Sequence, residues 1–274
     1  MMGDFVAALA AQGFLQHALA AGLLASVGCG VMGPFVVVKR ITFLAGGIAH
    51  AVLGGMGVAA YLGGSPLLGA LIAALAAALM IGAVRLRASE REDTLIGALW
   101  SVGMAVGILF IARTPGYNVD LMSALFGNIL MVTGDHLRLM VALDLLLLIV
   151  VAAFYKQLLA VAFDEEFARL RGVRVTVFYL LLLCLIAITV VLLIQVVGLI
   201  LVIALLTLPA AVAAQYVNSL SRMMLIAVLL GALICTGGLA LSYGPDLPAG
   251  ATIILLAGGV YLLSTLAGRV LRRG

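Results

Sequence analysis

Charge is what this sequence has least of. Only 9% of its 274 residues are Asp, Glu, Lys or Arg, whereas a soluble domain carries roughly a quarter. That leaves too little polar surface to face water on all sides, which excludes an ordinary water-soluble globular fold. Lysine is confined to Lys39 and Lys156, and no GxxxxGK[ST] occurs, so the chain cannot cradle and hydrolyse ATP by that device. There is no HExxH or paired acid–histidine set for hydrolysis, and no arginine spacing of the voltage-sensor kind. The chain is therefore not expected to be an enzyme by itself. Cys29, Cys184 and Cys235 each stand alone inside apolar runs, which reads as small core residues rather than a disulfide or a metal set.

Apolar residues are abundant, at 66% of the chain with a mean hydropathy of +1.34. Long continuous apolar runs without two-residue alternation point to helices rather than a barrel. They fall approximately at 13–38, 42–62, 67–84, 94–112, 136–155, 175–195, 197–217, 223–243 and 251–268. The fold class is all-α: a polytopic transmembrane helical bundle of about eight or nine spanning helices, since each span needs about 20 residues. The whole of 1–274 reads as one transmembrane domain. With the N-terminus outside and nine crossings, every Lys and Arg except Arg113 and Arg138 falls on the cytoplasmic side. The net charge of +4 is thereby explained by topology, with lipid and not nucleic acid as the partner. Val119–Val132 is apolar but short, and a crossing there would turn the downstream basic residues outward. It is expected to be an outer-surface or re-entrant helix.

Four features could carry chemistry. In the second run Gly47, His50, Gly54 and Gly57 recur on one helical face, a smooth stripe holding one imidazole roughly 12 Å into the span. His50 is either a pathway group or transition-metal ligand, or a neutral histidine bonded to a neighbouring helix. Asp144, deep in a run of leucines, either supplies an oxygen ligand or marks a helix that starts later. Asp246, just before Pro248 and the last run, either complements a helix N-terminus or places a carboxylate at an outer mouth. Phe163–Val173 has the parts of a short cytoplasmic helix. Asp164 can cap it, Glu165 and Glu166 suit its start, Arg169 and Arg171 its end, and Gly172 can stop it. Such a helix is a docking element for a partner or simply a solvated interfacial helix. His17 and His136 lie near span ends and read as interfacial. Gly103 and Gly107 form one GxxxG pair, and Pro34 and Pro209 lie within spans.

Six stretches in order resemble the metal-ion permeases of bacterial ATP-binding-cassette importers, which take up zinc, manganese or iron. They are Gly33-Pro-Phe-Val-Val-Val-Lys-Arg40 running into Gly-Ile-Ala-His50-Ala, then Glu92-Asp-Thr-Leu-Ile-Gly97 and Leu125-Phe-Gly-Asn-Ile-Leu130. Phe163-Asp-Glu-Glu-Phe-Ala-Arg169, Val197-Gly-Leu-Ile-Leu-Val-Ile-Ala-Leu-Leu-Thr-Leu-Pro-Ala210 and Asp246-Leu-Pro-Ala-Gly-Ala251 complete the set. The resemblance spans nearly the whole chain. It implies a multi-pass protein of the bacterial inner (plasma) membrane and a homodimer sharing one path. Two cytoplasmic ATP-binding-cassette ATPase subunits would use the ATP, and an extracytoplasmic metal-binding protein would deliver the ion. No cofactor would be bound permanently, the divalent transition metal being the substrate. His50 would match the intramembrane pathway histidine and Asp246 an acid near the path, with Asp144 a further candidate. The segment 157–174, with Asp164, Glu165, Glu166, Ala168, Arg169 and Gly172, would match the ATPase-coupling loop. One departure bears on selectivity: the family usually has Gly-Asp-Ala-Leu-Ser-His, and Gly47 is taken to stand in place of that acid. The alternatives are a permease for a metal chelate, siderophore or cobalamin, and an ion-coupled secondary transporter.

Overall fold

Helix α1 (Met2–Ala11) is followed by α2 (Gly13–Lys39), α3 (Thr42–Tyr61), α4 (Pro66–Arg87) and α5 (Glu92–Ala112). A short 3-10 turn at Ile129–Met131 precedes α6 (Gly134–Ala153), α7 (Tyr155–Phe163) and α8 (Glu165–Leu170). The chain continues through α9 (Val175–Val197), α10 (Leu199–Ala213), α11 (Leu220–Tyr243) and α12 (Ala249–Leu271). This computed structural model describes residues 2–87, 92–114, 127, 129–245 and 247–271. Among the described residues no strand occurs, and 7 helices, α2 to α6 together with α11 and α12, are long and apolar enough to cross a membrane. Apolar helices α9 and α10 match the two remaining segments expected from the sequence. The chain is a multi-pass helical membrane protein.

The helices form two compact units. The first comprises residues 1–37, 122–149 and 192–274, and the second 38–121 and 150–191. In the first, α10, α11 and α12 pack on one another. Glycines of α2 press against this group: a Cβ at Gly30 would lie 2.5 Å from Val228 Cγ2, and one at Gly22 3.1 Å from Cys235 Cβ. Lipid offers little drive for helix association, so such close approach supplies the packing. Ser26 donates to Gly22 O at 2.7 Å and faces Cys235 Sγ at 3.6 Å. The three cysteines are free, Cys29 and Cys235 being buried in this unit's core.

The break between α9 and α10 has a backbone cause. Gly198 sits at φ +81°, a conformation that ends one helix and lets the next begin. Gly127, at φ +71°, lies against the backbone of Val197 and Gly198, where no side chain would fit. Two sequence landmarks far apart in the chain thus meet within one unit. Most of the Val119–Val132 segment lies outside the described residues; its end is the 3-10 turn at Ile129–Met131. Helix α1 is additional to the sequence reading: at 10 residues it is too short to span. Its Phe5 meets the Tyr243 ring edge-on at 6.0 Å.

In the second unit α3 packs against both α4 and α5. Added Cβ atoms show how tightly. One at Gly54 would stand 2.9 Å from Gly103 O, and one at Gly57 would stand 2.6 Å from Gly107 O. On the opposite face Gly55 abuts the backbone of Gly69. The glycine stripe expected on α3 is therefore a helix–helix seam, and the GxxxG pair of α5 is its other half.

Candidate metal path and coupling helix

His50 lies in the second unit, midway along α3, and is 7% exposed. Its Nδ1 is 2.8 Å from Gly46 O. A carbonyl only accepts, so Nδ1 carries the proton, and the neutral ring keeps its lone pair on Nε2. Metal-ligating imidazoles are held in this way, the second nitrogen tied to a carbonyl. One ring face is covered by Trp100 of α5, stacked at a centroid separation of 3.8 Å and an interplanar angle of 17°. Phe43 stacks in turn on Trp100 at 5.8 Å.

The residue at the acid's spacing needs correction. In Gly-Asp-Ala-Leu-Ser-His the acid stands four positions before the histidine, which in this chain is Gly46 and not Gly47. Both glycines face α5. A Cβ at Gly46 would stand 3.0 Å from the Trp100 ring, and one at Gly47 would stand 2.5 Å from Ile96 Cγ2. No cluster of three His, Cys, Asp or Glu side chains able to hold a metal occurs among the described residues.

Asp144 belongs to the first unit. It is 5% exposed in mid-α6, and its Oδ2 has no hydrogen-bond partner among the described residues. It is not the start of a late helix, since α6 begins at Gly134. An unsatisfied buried carboxyl oxygen costs about 1–3 kcal/mol. Asp144→Leu, which keeps the branched shape and replaces the two oxygens by bulkier methyls, is expected to raise the melting temperature of the purified chain by about 2–4 °C. A fall both in Asp144→Leu and in the smaller Asp144→Val would mean that the carboxylate is held by an ion or water that satisfies it, whereas a fall in Asp144→Leu alone would reflect overpacking. Asp246 lies outside the described residues. At span ends, His17 Nδ1 lies 3.2 Å from Val132 O and His136 Nδ1 3.1 Å from Thr133 Oγ1.

The short helix expected within Phe163–Val173 forms as its sequence dictates. Asp164 caps α8, accepting from Phe167 N at 2.9 Å, with Glu165 and Glu166 in the first turn. Gly172, at φ +75°, ends it, and Val173 N reaches back to Ala168 O at 3.0 Å. Ala168 is fully buried, whereas Phe163, Phe167 and Leu170 are 61%, 50% and 87% exposed. Phe167 and Leu170, three positions apart on α8, share an edge, with Arg171 over the Phe167 ring at 5.2 Å, while Phe163 closes α7 before the extended Asp164.

Sequence reasoning missed what anchors α8. Lys39, the last residue of α2, pairs with Glu165 and donates to Val161 O at 2.7 Å. Arg85 of α4 stands 4.0 Å from the same carboxylate, and its guanidinium lies 5.0 Å from the Tyr179 ring centroid. These basic residues read as topology signals alone. The available clue was an acidic loop, opposite in sign to basic residues that the topology rule puts on the same side of the membrane.

The chain has clear relatives. An uncharacterised membrane protein of Synechocystis is 48% identical over 251 residues, covering 92% of this chain and 89% of that one. The manganese transport system membrane protein MntC of Halalkalibacterium halodurans is 35% identical, over 92% of this chain and 86% of its own. Among solved structures, PsaBC from Streptococcus pneumoniae in complex with Fab superposes with a TM-score of 0.87 at 33% identity, covering 96% of this chain and 95% of that one. The ABC 3 transport family matches residues 11–268, nearly every described helix, and the chain belongs to that family.

Proposed function

We propose that this chain is the membrane-spanning permease subunit of an ATP-driven importer for a divalent transition metal, namely zinc, manganese or iron. It works by alternating access as a single permease domain in a homodimer. Two separate ATPase subunits hydrolyse the ATP, and an extracytoplasmic metal-binding protein delivers the ion. Relatives named as manganese transport proteins support the substrate class. The observation that carries the reading is His50: one imidazole in mid-span, its Nδ1 tied to Gly46 and its Nε2 lone pair left for a ligand. A lone ligand suits transit, because an ion that binds too well does not leave. Asp246 favours cation entry at the outer mouth, and Asp144 is the second acid available to the path.

Within 157–174, α8 is the coupling element. The exposure of Phe167 and Leu170 on α8, and of Phe163 just before it, supports docking on a cytoplasmic partner, because among the described residues these apolar side chains are left largely open to solvent. Asp164 and Gly172 define its ends, Glu165 anchors it, and Glu166 and Arg169 are exposed enough to meet the ATPase.

The test is uptake of radiolabelled zinc and manganese by cells expressing the chain with its ATPase and binding protein. His50→Ala is expected to lower uptake at least about ten-fold at equal membrane abundance, since loss of even a partner that orients a metal ligand costs about that much. Unchanged uptake would remove His50 from the ion path. Co-purification with the ATPase separates this reading from an ion-coupled secondary transporter.

A further inference from the structure

We infer that Trp100 is a specificity-determining residue of the path, biasing it toward ions that prefer nitrogen ligands, such as zinc, and against manganese. The inference rests on the import reading above and extends it to the choice of metal. Its basis is a substitution of chemistry within one helix pair. An acid four residues before His50 would share the imidazole's face of α3 and offer oxygen. Here that position is Gly46, and the space over it is filled by the Trp100 ring, 3.0 Å from where a Cβ would stand. The neighbouring position, Gly47, is closed by Ile96. Helix α3 can thus present a nitrogen and no carboxylate at this level.

What replaces the carboxylate is an aromatic face. The indole lies parallel to the imidazole at 3.8 Å, so it fixes the ring's rotation together with the Nδ1–Gly46 bond. It has no lone pair to give a metal, but its electron-rich face stabilises positive charge. A metal on Nε2 draws charge out of the imidazole, and the stacked indole then favours the metal-bound ring over the free one. Imidazole suits zinc, copper, iron and nickel, while carboxylate and water suit manganese and magnesium. Exchanging the carboxylate for a π-face therefore discriminates by ligand type rather than by ion size.

The test uses the fact that Trp100 is the only tryptophan in the chain. In the purified full-length chain, zinc is expected to cause a saturable change in tryptophan emission that His50→Ala abolishes. A ten-fold excess of manganese should fail to reverse it. In cells expressing the whole transporter, Trp100→Leu is expected to lower the zinc-to-manganese uptake ratio at least five-fold. Trp100→Phe, which keeps a flat ring, should preserve most of it, and Trp100→Ala with Gly46→Asp should raise manganese uptake above wild type. A wild-type protein that imports metal with a ratio unmoved by Trp100→Leu, or lowered as much by Trp100→Phe as by Trp100→Leu, overturns this inference alone. If the wild type imports neither ion, the import reading falls and this one with it. Emission that responds to zinc equally in His50→Ala also overturns it, because the indole would then report a different site.

Discussion

Glu165→Leu is expected to lower metal uptake about ten-fold or more, and to do so more severely than Lys39→Met. The asymmetry follows from burial. The Lys39 side chain is 8% exposed and that of Glu165 29%. Removing the carboxylate leaves an almost buried ammonium without its counter-ion, close to a second cation, Arg85. Breaking a buried pair from one side costs about 3–5 kcal/mol, and the partial exposure of Glu165 places this one near the lower figure. Removing Lys39 instead leaves a half-exposed carboxylate with Arg85 still 4.0 Å away, which water and that guanidinium largely satisfy.

The consequence reaches function because of where the two residues stand. Glu165 opens α8, the helix proposed above to couple to the ATPase, and Lys39 closes α2 just before α3, which carries His50. The link between α2 and α3 is Arg40 at φ +59°, a left-handed conformation that costs a non-glycine residue about 1–2 kcal/mol. Such a junction is held by its surroundings rather than by its own preference. The pair is therefore placed to hand a displacement of α8 to the start of α3. In the purified complex, basal ATP hydrolysis should persist in Glu165→Leu while its stimulation by the metal-binding protein is lost. The swapped pair Lys39→Glu with Glu165→Lys should recover part of that stimulation. A Glu165→Leu complex that stays stimulated and transports normally would reduce the pair to an anchor.

How much of this was legible in the sequence depends on the range of the interaction. Spans were legible because burial in lipid imposes continuous apolar runs, and the nine segments expected coincide with helices to within a few residues. The ends of α8 were legible because caps are local: Asp164 and Phe167 are three positions apart. The α9–α10 break at Gly198 lies two residues past the expected boundary, inside the run expected at 197–217, and its cause, the positive φ of Gly198, is visible only in the backbone. Contacts of long sequence separation were not legible. Lys39 and Glu165 are 126 positions apart, and Trp100 meets His50 from a different helix. Helix α1 escaped notice because an apolar run shorter than a span carries no topological signal. The glycine stripe was seen, but periodicity gives the face of a helix and not what covers it. That stripe faces a second helix.

Gly103→Ala is expected to lower both stability and uptake, while Gly97→Ala on the same helix should do neither. Both changes exchange glycine for the best helix former, a gain of about 1 kcal/mol in intrinsic propensity. Their surroundings differ. Nothing lies within 4 Å of a Cβ at Gly97, so the propensity gain stands unopposed. A Cβ at Gly103 would lie 2.7 Å from Ala51 Cα and 3.1 Å from His50 O. These are backbone atoms, which cannot turn aside as a flexible side chain does. The methyl therefore has to push α5 away from α3, and the reciprocal approaches at Gly54, Gly57 and Gly107 open with it. In lipid no hydrophobic gain compensates for the lost packing, because acyl chains are as apolar as the helix surface. Trp100 lies one turn before Gly103 and moves with it, so its stacking on His50 loosens at the same time. Thermal unfolding in detergent should show Gly103→Ala several degrees below wild type, with Gly97→Ala at or above it. Zinc-to-manganese discrimination in Gly103→Ala should shift in the same direction as in Trp100→Leu. A Gly103→Ala protein that is destabilised yet keeps the wild-type ratio would show that the seam holds the unit together without setting the position of the indole.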